Sequence, residues 1–274
     1  MRLDFEITIK TAIFTNRTII KLGVMKRVNT CVISLLLLFV AACSGDNQGD
    51  MPKPEFVPYE FNATECEQSE VSIKYQRIAN ADASDILANI EATNYQNSFD
   101  GYTVEPMDVE ASVKLLVDEY VEGGCSCCEG TGLGYRFTMD QSVYYVREET
   151  ILCYETFVES YTGGTNEACS MWYECFDLET GQLYDFNYLF EGDHASAMRT
   201  AVYDALKTGD YELTVGSAEM LHMANSVAIT DRGLLFVYQP FEVAPLDAGI
   251  ISVVLTDEEI AATGAPLVWV ESAE

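Results

Sequence analysis

TILCYETFVESYTGGTNEACSMWYECFDL, residues 150–178, decides how the rest of the chain is read. β-Branched and aromatic residues crowd both sides of Gly163-Gly164-Thr165-Asn166, a turn-forming run. The pattern predicts two strands, Thr150–Tyr161 and Ala168–Leu178, folded back on each other. With the turn centred near Thr165, residues whose numbers sum to about 330 face each other. Cys153 and Cys175 then lie opposite or one step off, within the ~5.5 Å Cα spacing that a disulfide tolerates.

Upstream of this hairpin, Val71–Ile78 reads as a strand. Ala83, Ile86, Leu87 and Ile90 recur at helical spacing and predict a helix over Asp82–Asn94. Val109, Val113, Leu116, Val117 and Tyr120 form the stripe of a second helix, with Asp108 as cap and Gly123 as stop. Ser142–Arg147 reads as a further strand. Downstream, Met198, Ala201, Val202, Ala205 and Leu206 predict a helix over Ala195–Lys207, closed by Gly209. Val227–Thr230 and Leu234–Gln239 flank Asp231-Arg232-Gly233, a hairpin signal. Ile250–Leu255 is the last expected strand. Strands and helices do not alternate strictly, which favours an α+β fold with an antiparallel sheet and several packed helices. About 200 globular residues suit one bilobal unit or two small domains.

The first third of the chain sets the compartment. Met25-Lys26-Arg27 is a short basic start, and Val32–Ala42 is an apolar run too short to span a bilayer, which takes roughly 20 residues. It fits the core of a signal peptide. Val40-Ala41-Ala42-Cys43 has the form of a lipobox, with Cys43 as the acylated residue. Residues 25–43 therefore read as a lipoprotein signal, and 1–24 as a non-native extension before the true start. Residues 44–66, rich in Gly, Asn, Asp and Pro at their start, read as a flexible tether. The expected location is the bacterial cell envelope, lipid-anchored at the outer membrane or cell surface, rather than spanning.

Residues 1–42 hold six basic and two acidic side chains, out of 15 and 44 in the chain. The remaining 9 and 42 give the mature part a formal net charge of −33. Nucleic acid is excluded as a partner, since phosphates need a basic footprint. Cationic partners are favoured by the same field.

Chemistry-bearing residues are sparse. His194 opens a helix and His222 lies between Leu221 and Met223. No metalloprotease or serine-nucleophile motif accompanies them. No cofactor or metal is expected. GGCSCCEGTG, residues 123–132, holds Cys125, Cys127 and Cys128. They are too bunched to supply three zinc vertices easily. Outside the cytoplasm disulfides persist, so Cys66 is expected to pair with one of these three, leaving Cys169 and two clustered thiols unassigned.

Further stretches carry a family resemblance. They are Ser160–Gly164, Phe176–Leu183, Tyr188-Leu189-Phe190, and Ile229–Pro245 (ITDRGLLFVYQPFEVAP) followed by Gly249. In order and spacing they resemble domain-of-unknown-function family 3298 (DUF3298). That likeness assigns residues 163–262 to a DUF3298-like part, and 67–162 to its frequent companion, DUF4163, with 263–274 as a tail. The resemblance implies a compact α+β unit, and relatives that include the outer half of a lysozyme-sensing anti-sigma factor. The family turn usually reads Gly-Gly-Ala-His, where this chain has Gly163-Gly164-Thr165-Asn166. The expected function is a non-catalytic lipoprotein that binds or senses a ligand, such as a cationic protein or a peptidoglycan-related molecule. The alternative is a glycan-modifying or hydrolytic accessory enzyme that uses carboxylates. Trp172, Tyr173, Tyr238 and Phe241 are the candidate binding residues.

Overall fold

Strands of ten and eleven residues set the frame. The computed structural model describes residues 52–65, 69–127, 134–165, 167–189 and 194–269. Five strands form one sheet in sequence order: β1 (Phe56–Glu65), β2 (Ser69–Ile78), β3 (Arg136–Val146), β4 (Ile151–Tyr161) and β5 (Ala168–Asp177). Helices α1 (Asp85–Ser98) and α2 (Val109–Cys127) lie between β2 and β3 in the chain. Three shorter strands form a second sheet: β6 (Ser226–Thr230), β7 (Gly233–Tyr238) and β8 (Ile251–Thr256). Helices α3 (Phe186–Leu189), α4 (Ala195–Leu206) and α5 (Asp257–Ala262) complete it. Both sheets belong to one compact unit, Asp50–Glu274. The fold is α+β, as expected.

The period-two alternation of the strands assigns the core. On one face of the large sheet, Val71, Ile73, Tyr75, Phe137 and Met139 pack with Tyr95 of α1, Phe99 just beyond its end, and Val109, Val113 and Leu116 of α2. The α2 stripe is the one its sequence predicts, and the Asp108 side chain accepts from Ala111 N at 3.0 Å. On the opposite face, Val146, Ile151, Cys153 and Cys175 pack with Met198, Val202 and Leu206 of α4 and with β6–β8. Hairpin β4–β5 is therefore buried on both sides at its Ile151/Asp177 end.

A polar seam fixes α1 on the sheet. Gln141 Nε2 lies 2.9 Å from Asn94 Oδ1, 3.1 Å from Ser98 Oγ and 2.9 Å from Thr156 Oγ1. Asn94 donates to the Tyr75 hydroxyl at 3.1 Å and to Gln76 O at 3.2 Å. Glu91 accepts from Ile78 N at 2.8 Å. Satisfied buried polar groups of this kind specify one helix position where apolar contacts would tolerate several.

Three features tie the second sheet to the first. Gln239 spans Met171 of β5, accepting from its N–H at 2.9 Å and donating to its carbonyl at 2.7 Å. Ser226 Oγ accepts from Tyr173 N at 2.9 Å. The outer edge of β5 is thus satisfied by side chains at Met171 and Tyr173 and by the backbone of Gln182 and Tyr184 at Asp177 and Cys175, which removes a pairing hazard. Arg147, in the β3–β4 loop, donates to both carboxylate oxygens of Asp257 at 2.8 and 3.0 Å. Asp257 also accepts from Trp269 Nε1 at 3.1 Å. These bonds hold a loop in which Arg147, Glu148 and Glu149 all have left-handed backbones.

Several expectations are corrected. The sheet is mixed, because β2 and β3 pair in parallel. The helical crossover through α1 and α2 makes that direction possible. The tether expected over 44–66 contains β1, which pairs along its whole length with β2. Gly123 does not stop α2, which runs to Cys127. The boundary between 162 and 163 falls in the β4–β5 hairpin and would divide a single sheet. Ala265 and Trp269, assigned to a tail, are buried in the second core. Residues 1–51, including the signal segment and Cys43, lie outside the described residues.

Glu91 gives the fold a pH dependence. It is 3% exposed, and burial raises its carboxyl from 4.5 to about 7, against the opposing Ile78 hydrogen bond. The folded state thus holds this proton more tightly than the unfolded chain. Its contribution is fully present below about 4.5 and is lost as pH rises towards 7. Glu91→Gln, which mimics the protonated acid, is expected to match the wild type near pH 4.5. At pH 8 it should be more stable by on the order of 2–3 kcal/mol. Denaturant titrations at the two pH values check this, and a difference independent of pH would contradict it.

Candidate functional site

The second sheet and its helices cover one end of the large sheet, and among the described residues the other end of that face is open. Register and alternation place its residues in cross-strand rows. Glu60, Lys74, Asp140, Phe157 and Met171 form one row, and Asn62, Ser72, Thr138, Glu159 and Cys169 the next. Glu60, Asn62, Asp140 and Glu159 are exposed, and the others are partly buried. A third row, Thr64, Glu70, Arg136 and Tyr161, lies at the strand ends and lines a groove of ≈ 160 Å³. There the Arg136 guanidinium stands 5.2 Å from the centre of the Tyr161 ring and pairs with Glu167. Lys74 pairs with Asp140 at 3.3 Å. Acids outnumber bases on this face, so its potential favours cations.

The candidate binding aromatics do not form one patch. Trp172 and Tyr173 are successive strand residues and therefore point to opposite faces. Trp172, opposite Thr156, faces the helices and is half-buried. Tyr173 packs against the second core, and its hydroxyl donates to Glu155 Oε2 at 2.6 Å. Burial and the Glu155 carboxylate raise the Tyr173 hydroxyl above its ordinary range. Tyr238 is fully buried in the second core and is corrected from a binding residue to a core residue. Of the four, Phe241 alone is strongly exposed, at 68%.

The remaining candidates lie apart. His194 stands at the head of α4 and its side chain makes no capping bond. His222 sets its ring edge on Tyr238, with centroids 5.8 Å apart, and its Nε2 is 3.7 Å from Glu242 Oε1. The carboxyl with the raised pKa, Glu91, is sealed beneath α1 rather than facing a cleft. Among the described residues, no group of three or more His, Cys, Asp or Glu could hold a metal ion. No described helix is long and apolar enough to cross a membrane.

Cys153 and Cys175 are direct register partners with Cα atoms 4.1 Å apart, in position for a disulfide. Cys125 lies half-buried near the end of α2. Cys66, Cys128 and the Cys127 side chain lie outside the described residues. Sequence reasoning missed the open face itself. Its signal was present in the polar, exposed alternate positions of β1, β2 and β3, but only the sheet order brings them together.

Non-reducing peptide mapping of the protein should recover Cys153 and Cys175 in one linked peptide. Replacing both with Ala should lower stability by about 3 kcal/mol, the chain-entropy value for a loop of this size. Both cysteines alkylated as free thiols would contradict the pairing.

No protein-family model matches the chain, and no curated protein matches it. A solved DUF3298-family structure from Bacteroides fragilis is similar, with a TM-score of 0.64 at 14% identity. The likeness covers 77% of this chain and 93% of that one. A DUF3298-family protein from Pseudomonas aeruginosa gives 0.49 at 13% identity over 76% and 92% of the two chains. A coverage of 77% exceeds what residues 163–262 can supply, so the first likeness extends well into the part assigned to DUF4163. At this identity the likeness is one of fold: the chain carries the fold of the Bacteroides fragilis DUF3298 protein.

Proposed function

We propose that the chain is a non-catalytic lipoprotein of the bacterial cell envelope that uses the open face of its large sheet to bind or sense a cationic protein such as lysozyme. The observation that carries this reading is the open face, where Glu60, Glu70, Asp140, Glu159 and Glu167 surround only Lys74 and Arg136. A mature chain with a formal net charge of −33 extends the same field beyond the face. Such a field raises encounter rates with basic proteins, while cross-strand rows of polar side chains supply hydrogen bonds for register. The signal core and Val40-Ala41-Ala42-Cys43 support a lipid anchor at Cys43, with residues 44–55 left between it and β1. The alternative, a hydrolase using carboxylates, would draw on Glu70, Glu159 and Glu167, which line the groove at the strand ends, whereas the acid whose pKa is raised, Glu91, is enclosed beneath α1.

Two measurements test the reading. Metabolic labelling with a clickable fatty acid should mark the wild type and not Cys43→Ser, and equal labelling of both would remove the anchor. Affinity of the full-length protein for hen lysozyme should exceed that for cytochrome c at physiological salt. The double variant Glu60→Lys/Glu159→Lys should weaken lysozyme binding by about tenfold or more and reduce its salt dependence. If all basic proteins bind alike and binding vanishes at physiological salt, the acidity serves solubility alone.

A further inference from the structure

We propose that Phe241 is an anchor residue of the binding surface, inserted into an apolar hollow with a basic rim on the partner protein. The inference rests on the cationic-partner reading and adds to it the residue that gives specificity. Phe241 occupies the turn Gln239-Pro240-Phe241-Glu242 that follows β7. The turn is closed twice, by Glu242 N donating to Gln239 O at 3.1 Å and Gln239 N donating to Glu242 Oε2 at 2.6 Å. Phe241 has φ +73°. A turn with proline second and a left-handed third residue favours glycine or asparagine at that third place, because a Cβ is crowded there.

Phenylalanine is therefore unfavourable here on two counts. Its backbone is in a conformation that glycine would adopt freely, and the residue is 68% exposed, so it returns little burial to the fold. Tyr238, three residues earlier, shows the contrast, being fully buried in the core. Strained residues persist where the surroundings over-determine them, and they gather at binding sites. The surroundings here do over-determine the turn. Gln239 clamps both backbone groups of Met171 on β5, which fixes the turn to the sheet edge beside the open face. Met171 itself ends the row that runs from Glu60 through Asp140 and Phe157.

The neighbourhood sets the partner's chemistry. Glu242 follows Phe241 directly and approaches His222 at 3.7 Å. Two residues before His222 is Met220, 70% exposed, and next to it Glu219, also exposed. Exposed Phe241 has Glu242 beside it in the chain, and exposed Met220 has Glu219. A matching surface is an apolar hollow ringed by Lys or Arg, whose cations can also lie against the Phe241 ring. A rigidly held aromatic loses little freedom on binding, which is the usual property of an interface anchor.

Phe241→Gly separates the two roles, since a structural ring and a binding ring respond in opposite ways. In full-length protein, thermal midpoint and affinity for hen lysozyme are measured at physiological salt. The expected result is a midpoint unchanged or raised, with affinity lowered by about tenfold or more. Phe241→Tyr should restore affinity to within about threefold of wild type, because the ring is kept. A wild type that binds while Phe241→Gly binds equally well overturns this inference and leaves the proposed function standing. A Phe241→Gly variant with a lowered midpoint and unchanged affinity makes the ring structural, with the same consequence. A wild type that does not bind lysozyme overturns both.

Discussion

Strands β4 and β5 are buried on both faces at one end, and the rest of the molecule is arranged around that constraint. Leu152, Tyr154 and Phe176 meet α1, while Ile151, Cys153 and Cys175 meet the second lobe, all at 2% exposure or less. A one-residue slip would exchange the two sets and destroy both cores at once. The register is therefore held from two sides, and the Cys153–Cys175 pair sits within it. Because the second lobe grips only this end, the other end of the same face is left to solvent. The candidate site is in this sense a by-product of where the second sheet docks. Gln239 and Ser226, together with the backbone of Gln182 and Tyr184, occupy the outer edge of β5 and keep the hairpin from acting as a template for foreign strands while leaving the face itself accessible.

Much of this was legible in the sequence where the signal is local. The β4–β5 hairpin, the α2 stripe and the α4 stripe follow from side-chain period alone. β1 was not legible, because Pro58, Glu60, Asn62 and Thr64 give its outward side the composition of a loop; such residues are tolerated on an edge strand. The parallel pairing of β2 with β3 depends on a crossover of two helices and leaves no local mark. Gly123 and Gly124 look like a stop, yet a helix propensity penalty of about 1 kcal/mol each is small against the anchoring of a 19-residue helix. Trp269 reached the core through its hydrogen bond to Asp257, a contact that links two segments no pattern connects.

The site was legible only in part. Charge pointed to a cationic partner before any geometry was known, but charge has no location. Trp172 and Tyr173 could have been separated from each other by strand alternation, since neighbours on a strand cannot share a face. Tyr238 and Phe241 could not be separated in this way. One ends a strand buried on both sides and the other occupies a left-handed turn position, a distinction carried by the backbone. The polar seam beneath α1 was equally hidden, because Glu91, Asn94 and Gln141 read as surface residues until the helix is laid on the sheet. Once in place, they fix α1 against the sheet face opposite the open one.

The central claim is that partner binding takes place on the open face and the adjoining Phe241 turn. Hydroxyl-radical footprinting of the full-length protein, with and without saturating hen lysozyme, reads this directly at oxidisable side chains. The account predicts that Tyr161, Phe157, Met171 and Phe241 lose reactivity on binding, while Met107 and Leu115, exposed at 45% and 47% beside and on α2, keep theirs. Protection at Met107 and Leu115 with no change at Met171 and Phe241 would place the partner on the helical side and contradict the account.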